Sequence, residues 1–293
     1  MLQNAEDFVP QLTADGSFTF FSKEFGELFH SNHGACQEAQ LKFVEPTQLR
    51  QKAQQPSLRL LDICYGLGYN TAATLATIWA VNPNCYIELV CLEFNPDVPL
   101  AAVAHRLFDN SPQPIPQILS QLATESKVET NRLKATLLIG DARATIELVQ
   151  SGFQADAIFL DPFSPPNCPQ LWTIEFLERV AKCLSSKGVL ATYSCAAAVR
   201  TALITAGLKI SSTPPIGRRS PGTVASWITT LPPLGRREQE HLLTRAAIPY
   251  RDPDFSDSAD VILQRRQQEQ YTSSLIPTSQ WKRDRSAIQS QSF

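Results

Sequence analysis

No apolar run in the sequence is long enough to span a membrane, which excludes a transmembrane helix. Cys-x-x-Cys pairs are absent too. The seven cysteines, at 36, 64, 85, 91, 168, 183 and 195, are odd in number, and several lie inside apolar runs, as buried free thiols in a reducing cytoplasm would. His30, His33, His105 and His241 have no metal-ligand spacing with those cysteines, so no metal is expected. The net charge is only −2 and the pI about 6.1, which argues against wholesale coating of nucleic acid. The acidic N-terminus shows no signal-peptide pattern, and a cytoplasmic location is expected. What is present is a 43% apolar fraction over 293 residues, enough for one large α/β domain with short additions.

The organising stretch is Leu58 to Thr71. An apolar run ends at Asp62, a turn carries Gly66 and Gly68, and Asn70-Thr71 opens a helical segment to Ala80. Strand, tight loop and helix in that order bring a nucleotide-like ligand against backbone N–H groups. Taken alone, the loop is equally well read as a plain tight turn. Strand-like runs recur at Tyr86–Leu92, Ala135–Ile139, Ala155–Leu160 and Gly188–Tyr193, with helical segments between them. Leu208–Ser212 and Val224–Thr230 have no helix between them, which predicts an antiparallel pair. The expected fold is a Rossmann-like α/β domain: a mostly parallel seven-stranded sheet, helices on both faces and an antiparallel last strand. Its expected limits are 58–235, after an N-terminal extension over 1–57 (hairpin and helix) and before C-terminal helices and a flexible tail over 236–293.

Four successive strands end in a carboxylate: Asp62, Glu93, Asp141 and Asp161. In a parallel sheet these tips share one edge. A single such acid is usually a helix cap, but four on one edge repel one another unless a cationic, polyhydroxylated ligand sits among them. Glu93 suits two ribose hydroxyls, Asp141 an exocyclic adenine amine, and Asp62 an amino group or sulfonium. That set fits S-adenosylmethionine better than a dinucleotide, whose pyrophosphate prefers fewer acids and a glycine at the place of Cys64.

Asp62–Asn70 and Phe159–Trp172 resemble the methyltransferase domain of MnmC-type proteins. So do Phe25-Gly26-Glu27 with Glu38, Thr192–Ala196, Val199-Arg200 and Ala206-Gly207, the whole spanning roughly residues 18 to 230. The resemblance implies a class I methyltransferase using S-adenosylmethionine, with Asp62, Gly66, Gly68, Asn70, Glu93, Asp141 and Glu38 at the cofactor. It implies a modified wobble uridine of tRNA, methylated on its 5-aminomethyl nitrogen, as substrate. The chain departs from the family pattern at Cys64 and Pro162, where glycine is usual, and at Glu27, where Asp is usual. It also leaves no room for a fused FAD-dependent oxidase; a separate oxidase or another tRNA-modifying enzyme is a candidate partner, and the chain itself is expected to be a monomer.

Asp161 is the candidate catalytic residue, accepting an amine N–H and orienting its lone pair; the plainer reading makes it a loop cap before Pro162. Phe163 and Trp172 either pack on a base of the substrate or belong to the core. No acid occurs between Glu178 and Glu238, a stretch that holds nine cations including Arg218 and Arg219, both placed at tRNA phosphates. The alternative is a solvated face balanced by acids from elsewhere. Rival functions are an N-methyl or aminopropyl transferase acting on a small amine or polyamine, and a non-catalytic tRNA-binding protein.

Overall fold

A computed structural model of the chain describes residues 8–149, 152–215, 220–228 and 231–290, the side chains of 287–290 excepted. Across the central sheet the strands run Lys209–Ser212, Thr223–Ser226, Leu184–Thr192, Ala155–Leu160, Ser57–Ile63, Tyr86–Glu93, Leu133–Ile139 and Lys127–Glu129. The five from Leu184–Thr192 to Leu133–Ile139 are parallel. Thr223–Ser226 is antiparallel to both its neighbours, as the missing crossover helix requires. The seven expected strands are therefore present. An eighth, Lys127–Glu129, pairs antiparallel on the far edge; with only Val128 buried, its three residues lack a strand-like apolar pattern.

Side-chain alternation along the strands sorts the core into two layers. Leu58 and Leu60 face the layer that packs under the helix Tyr69–Val81, whereas Leu61 and Ile63 face the layer under Ile174–Lys182 and Ala197–Thr205. Asp62 shares its parity with Leu58 and Leu60, and so points beneath the first helix. Near the N-terminus, Gln11–Leu12 pairs with Phe18–Thr19 around the Asp15-Gly16 turn, and Phe21–Ser22 pairs with Glu27–Leu28. Ala35–Glu38 continues into the π-helix Ala39–Val44.

Within 236–293, where C-terminal helices and a flexible tail are expected, the last helix is Thr278–Ser290. Trp281 stacks on His241 at 5.0 Å, and Arg285 pairs with Glu240. Arg265 and Arg266 are used internally: Arg265 binds Asp257 and the Arg251 carbonyl, while Arg266 lies over the Tyr250 ring and donates to the Ile248 carbonyl. Among the described residues no helix is long and apolar enough to cross a membrane.

Candidate active site

The turn after the first strand places three residues at positive φ: Cys64 at 66°, Gly66 at 57° and Gly68 at 94°. A Cβ on Gly68 would meet the Tyr65 hydroxyl at 2.6 Å, so this position requires glycine. The left-handed geometry at Cys64 explains why related loops use glycine there. Burial, with the nearby acids adding to it, holds the Cys64 thiol well above its usual pKa.

The tight loop aims its amides at the neighbouring strand tip. Glu93 accepts from the Gly66 N–H at 2.7 Å and the Asn95 N–H at 2.9 Å, and is only 7% exposed. Burial raises its pKa despite those bonds. Asp62, 0% exposed, accepts from the Thr71 hydroxyl at 2.8 Å, and its second oxygen has no hydrogen-bond partner among the described residues. Burial, with Glu93 adding repulsion, pushes it up to about 7.

Beside these tips lies a cavity of about 980 Å³ lined by Glu38, Gly66, Glu93, Asp141, Asp161 and Phe163, among others. Glu38 is fixed by the Ser31 N–H at 3.0 Å. Asp161, whose own N–H donates to the Ile63 carbonyl, accepts from Asn70 Nδ2 at 2.9 Å. Asn70 thus reaches the site from the first turn of its helix. Asp62, Gly68, Asn70 and Trp172 do not line the cavity. Trp172 is fully buried in the core, and its Nε1–H donates to the Phe163 carbonyl at 2.9 Å. Its place in the site is to hold Phe163. Arg218 and Arg219 lie outside the described residues.

Three groups at the cavity lie outside the expected set of site residues. Glu27 accepts from the Ser164 N–H at 3.0 Å, the Ser164 hydroxyl and Asn167 Nδ2 at 2.7 Å, pinning the loop that follows Asp161. Phe25, from the same hairpin, stacks on Phe163 with centroids 4.4 Å apart, and Asn167 donates to its carbonyl. Arg143 grips Asp141 through its backbone N–H, Nε and Nη2. Burial tends to raise the Asp141 pKa, but these bonds outweigh it and hold the group below the usual carboxylate range. The Phe25-Gly26-Glu27 run was the available signal for the first two. Arg143 gave none beyond standing two residues after a strand-tip acid.

Part of the basic stretch is neutralised in space. Arg179 pairs with Glu147, the buried Arg200 with Glu238, and Arg236 with Glu240. Arg179 and Arg236 follow the balanced-face reading, whereas Arg200 forms a buried ion pair. Among the described residues no group of three or more His, Cys, Asp or Glu is arranged to hold a metal ion.

The cavity suits a cationic nucleoside. Glu93 has one backbone N–H on each carboxylate oxygen, which leaves acceptor sites for the two donors of a ribose diol. Asp141 and Asp161 line the same space, where a positive group is favoured and a pyrophosphate repelled. S-Adenosylmethionine meets these requirements.

Comparison with known proteins agrees. Residues 105–227 match the model of a family of S-adenosyl-L-methionine-dependent methyltransferases. The crystal structure of MNMC2 from Aquifex aeolicus is 35% identical with a TM-score of 0.79, and the match covers 92% of this chain and 87% of that one. The uncharacterized protein MJ0670 of Methanocaldococcus jannaschii is 30% identical over 90% of this chain and 72% of its own length. The bifunctional tRNA 5-methylaminomethyl-2-thiouridine biosynthesis protein MnmC of Ralstonia nicotianae is 31% identical over 75% of this chain, which spans 34% of that relative. With a strand-tip carboxylate site fitted to S-adenosylmethionine and this degree of likeness to MNMC2, the chain belongs to the MnmC-type S-adenosylmethionine-dependent methyltransferases.

Proposed function

We propose that this methyltransferase acts on the 5-aminomethyl nitrogen of a modified wobble uridine in tRNA. The reading is carried by Asp161, held by Asn70 at the edge of a cavity whose wall is the stacked Phe25–Phe163 pair. It is supported by likeness to relatives whose names carry that nucleoside, although the chain spans only about a third of their length. In this reading Asp62, Gly66, Gly68, Asn70, Glu93, Asp141 and Glu38 form the donor site: Glu93 accepts from the ribose and Asp141 from adenine, while Asp62, Gly68 and Asn70 act from beneath the loop.

Bound S-adenosylmethionine supplies an electrophilic methyl group on a sulfonium. The amine must offer a neutral lone pair, and at pH 7 only about one alkylamine in a thousand is neutral, a cost of roughly 4 kcal/mol. Asp161 accepts one amine N–H, turns the lone pair toward the donor and takes the proton that leaves as the N–C bond forms. Phe163 and Phe25 give the uracil ring an apolar face. Arg218 and Arg219 are assigned to phosphates of the tRNA.

The test is incubation with labelled donor and tRNA bearing the 5-aminomethyl nucleoside, read by nucleoside mass spectrometry. The expected result is one methyl group on that nitrogen. Methyl transfer to polyamines with none to tRNA contradicts the proposal.

A further inference from the structure

Asp141 is locked before any ligand arrives. Its Oδ1 accepts from the Arg143 backbone N–H at 2.9 Å, its Oδ2 from Arg143 Nη2 at 2.7 Å, and the Nε–H is shared between both oxygens at 3.2 and 3.1 Å. Three protons thus occupy a carboxylate with about four acceptor sites, leaving one for a ligand N–H.

The other arm of the guanidinium points away from the cavity. Arg143 Nη1 donates to Asp252 Oδ2 at 2.7 Å and to the Asp257 carbonyl at 3.0 Å. Asp252 is only 1% exposed, and its other oxygen accepts from the N–H groups of Ser256 and Asp257. Its own N–H donates to Glu175, which also pairs with Arg251. A carboxylate this deeply buried is costly unless paired. Here the pairing reaches across 109 residues of sequence to a group beside the donor cavity. The segment that carries Asp252 lies beyond the residues 105–227 that match the methyltransferase family.

We infer that Asp252 is a positioning residue of the donor site: it fixes Arg143, Arg143 fixes Asp141, and Asp141 accepts from the exocyclic amine of adenine. The C-terminal segment is then part of the cofactor site rather than an appendage. Order imposed in the empty protein is order that the ligand need not impose on binding. The inference rests on Asp141 reading adenine and is independent of which acceptor receives the methyl group.

The test is calorimetric titration of the full chain with S-adenosylhomocysteine, using Asp252→Asn, Asp141→Ala and the double variant. Asp252→Asn should weaken binding about tenfold, Asp141→Ala at least as much, and the double variant no further than Asp141→Ala alone, as for residues in one network. In turnover assays Asp252→Asn should raise KM for the donor more than it lowers kcat. Wild-type affinity in Asp252→Asn, or losses that add in the double variant, would overturn the relay. Wild-type affinity in Asp141→Ala would overturn the adenine contact beneath it. Should Asp252→Asn fail to fold by circular dichroism, Arg143→Lys takes its place, since lysine keeps the charge but loses the fork. It must show the same non-additivity. No acceptor is present in these titrations, so an error about tRNA leaves their outcome unchanged.

Discussion

The cavity is built by two different means on its two sides. Along the sheet edge the fixing is local: loop amides hold Glu93, the Asp161 N–H is tied to the Ile63 carbonyl of the neighbouring strand, and Asn70, from the helix that follows the glycine turn, holds the Asp161 carboxylate. On the flanks, side chains reach in from distant segments: Glu27 onto the loop after Asp161, and Asp252 through Arg143 onto Asp141. Backbone donors come with the turn and survive most side-chain changes, whereas a flank contact is lost with one residue. The edge therefore supplies the reacting and binding groups, and the flanks aim them. Substitutions on the edge should remove a step, and those on the flanks should degrade one.

The largest effect separating the two sides is expected from Asp161→Ala. Its kcat should fall by at least about a hundredfold, with affinity for S-adenosylhomocysteine near wild type, as for an interaction made in the transition state. Steady-state kinetics beside calorimetry would show this, and retained turnover would remove Asp161 from catalysis. Next comes Glu93→Ala, which deletes two charge-assisted acceptors and should weaken S-adenosylhomocysteine on the order of a hundredfold, again by calorimetry. On the flank, Glu27→Ala frees the loop after Asp161, and kcat should drop roughly tenfold at saturating substrates. Glu27→Asp should recover part of that loss. A loss as deep as that of Asp161→Ala would erase the distinction between edge and flank.

The smallest effect on activity is expected at Asp62, an edge acid that does not face the cavity. Its pKa is raised from 3.8 to about 7, so its contribution to stability is fully present below about pH 4 and is lost as pH climbs through about 7. Melting temperatures of wild type and Asp62→Asn across that window should diverge in slope, the variant being the flatter. Parallel curves would contradict the burial argument.

The same division explains what could be read from sequence. The strand-tip acids and the glycine turn are local patterns, and period-2 alternation carries the strands, so the sheet and its edge were legible. The pleat decides whether a tip acid faces the cavity, and a run such as Leu60-Leu61-Asp62-Ile63, apolar on both faces, does not announce its parity. Trp172 follows the Asp161 loop, where a binding aromatic and a core aromatic look alike in sequence, and its place is in the core. Glu27 and Ser164 meet across 137 residues, a distance at which no spacing rule applies. The helix Thr278–Ser290 was missed because its residues are polar and it is held by Trp281 on His241 and Arg285 on Glu240 rather than by an apolar stripe.

The most direct test of the strand-tip site is a crystal structure of the chain with S-adenosylhomocysteine. The account predicts the ribose hydroxyls on Glu93, the adenine amine on Asp141 and the sulfur turned toward Asp161. A nucleoside bound away from these three carboxylates would contradict it.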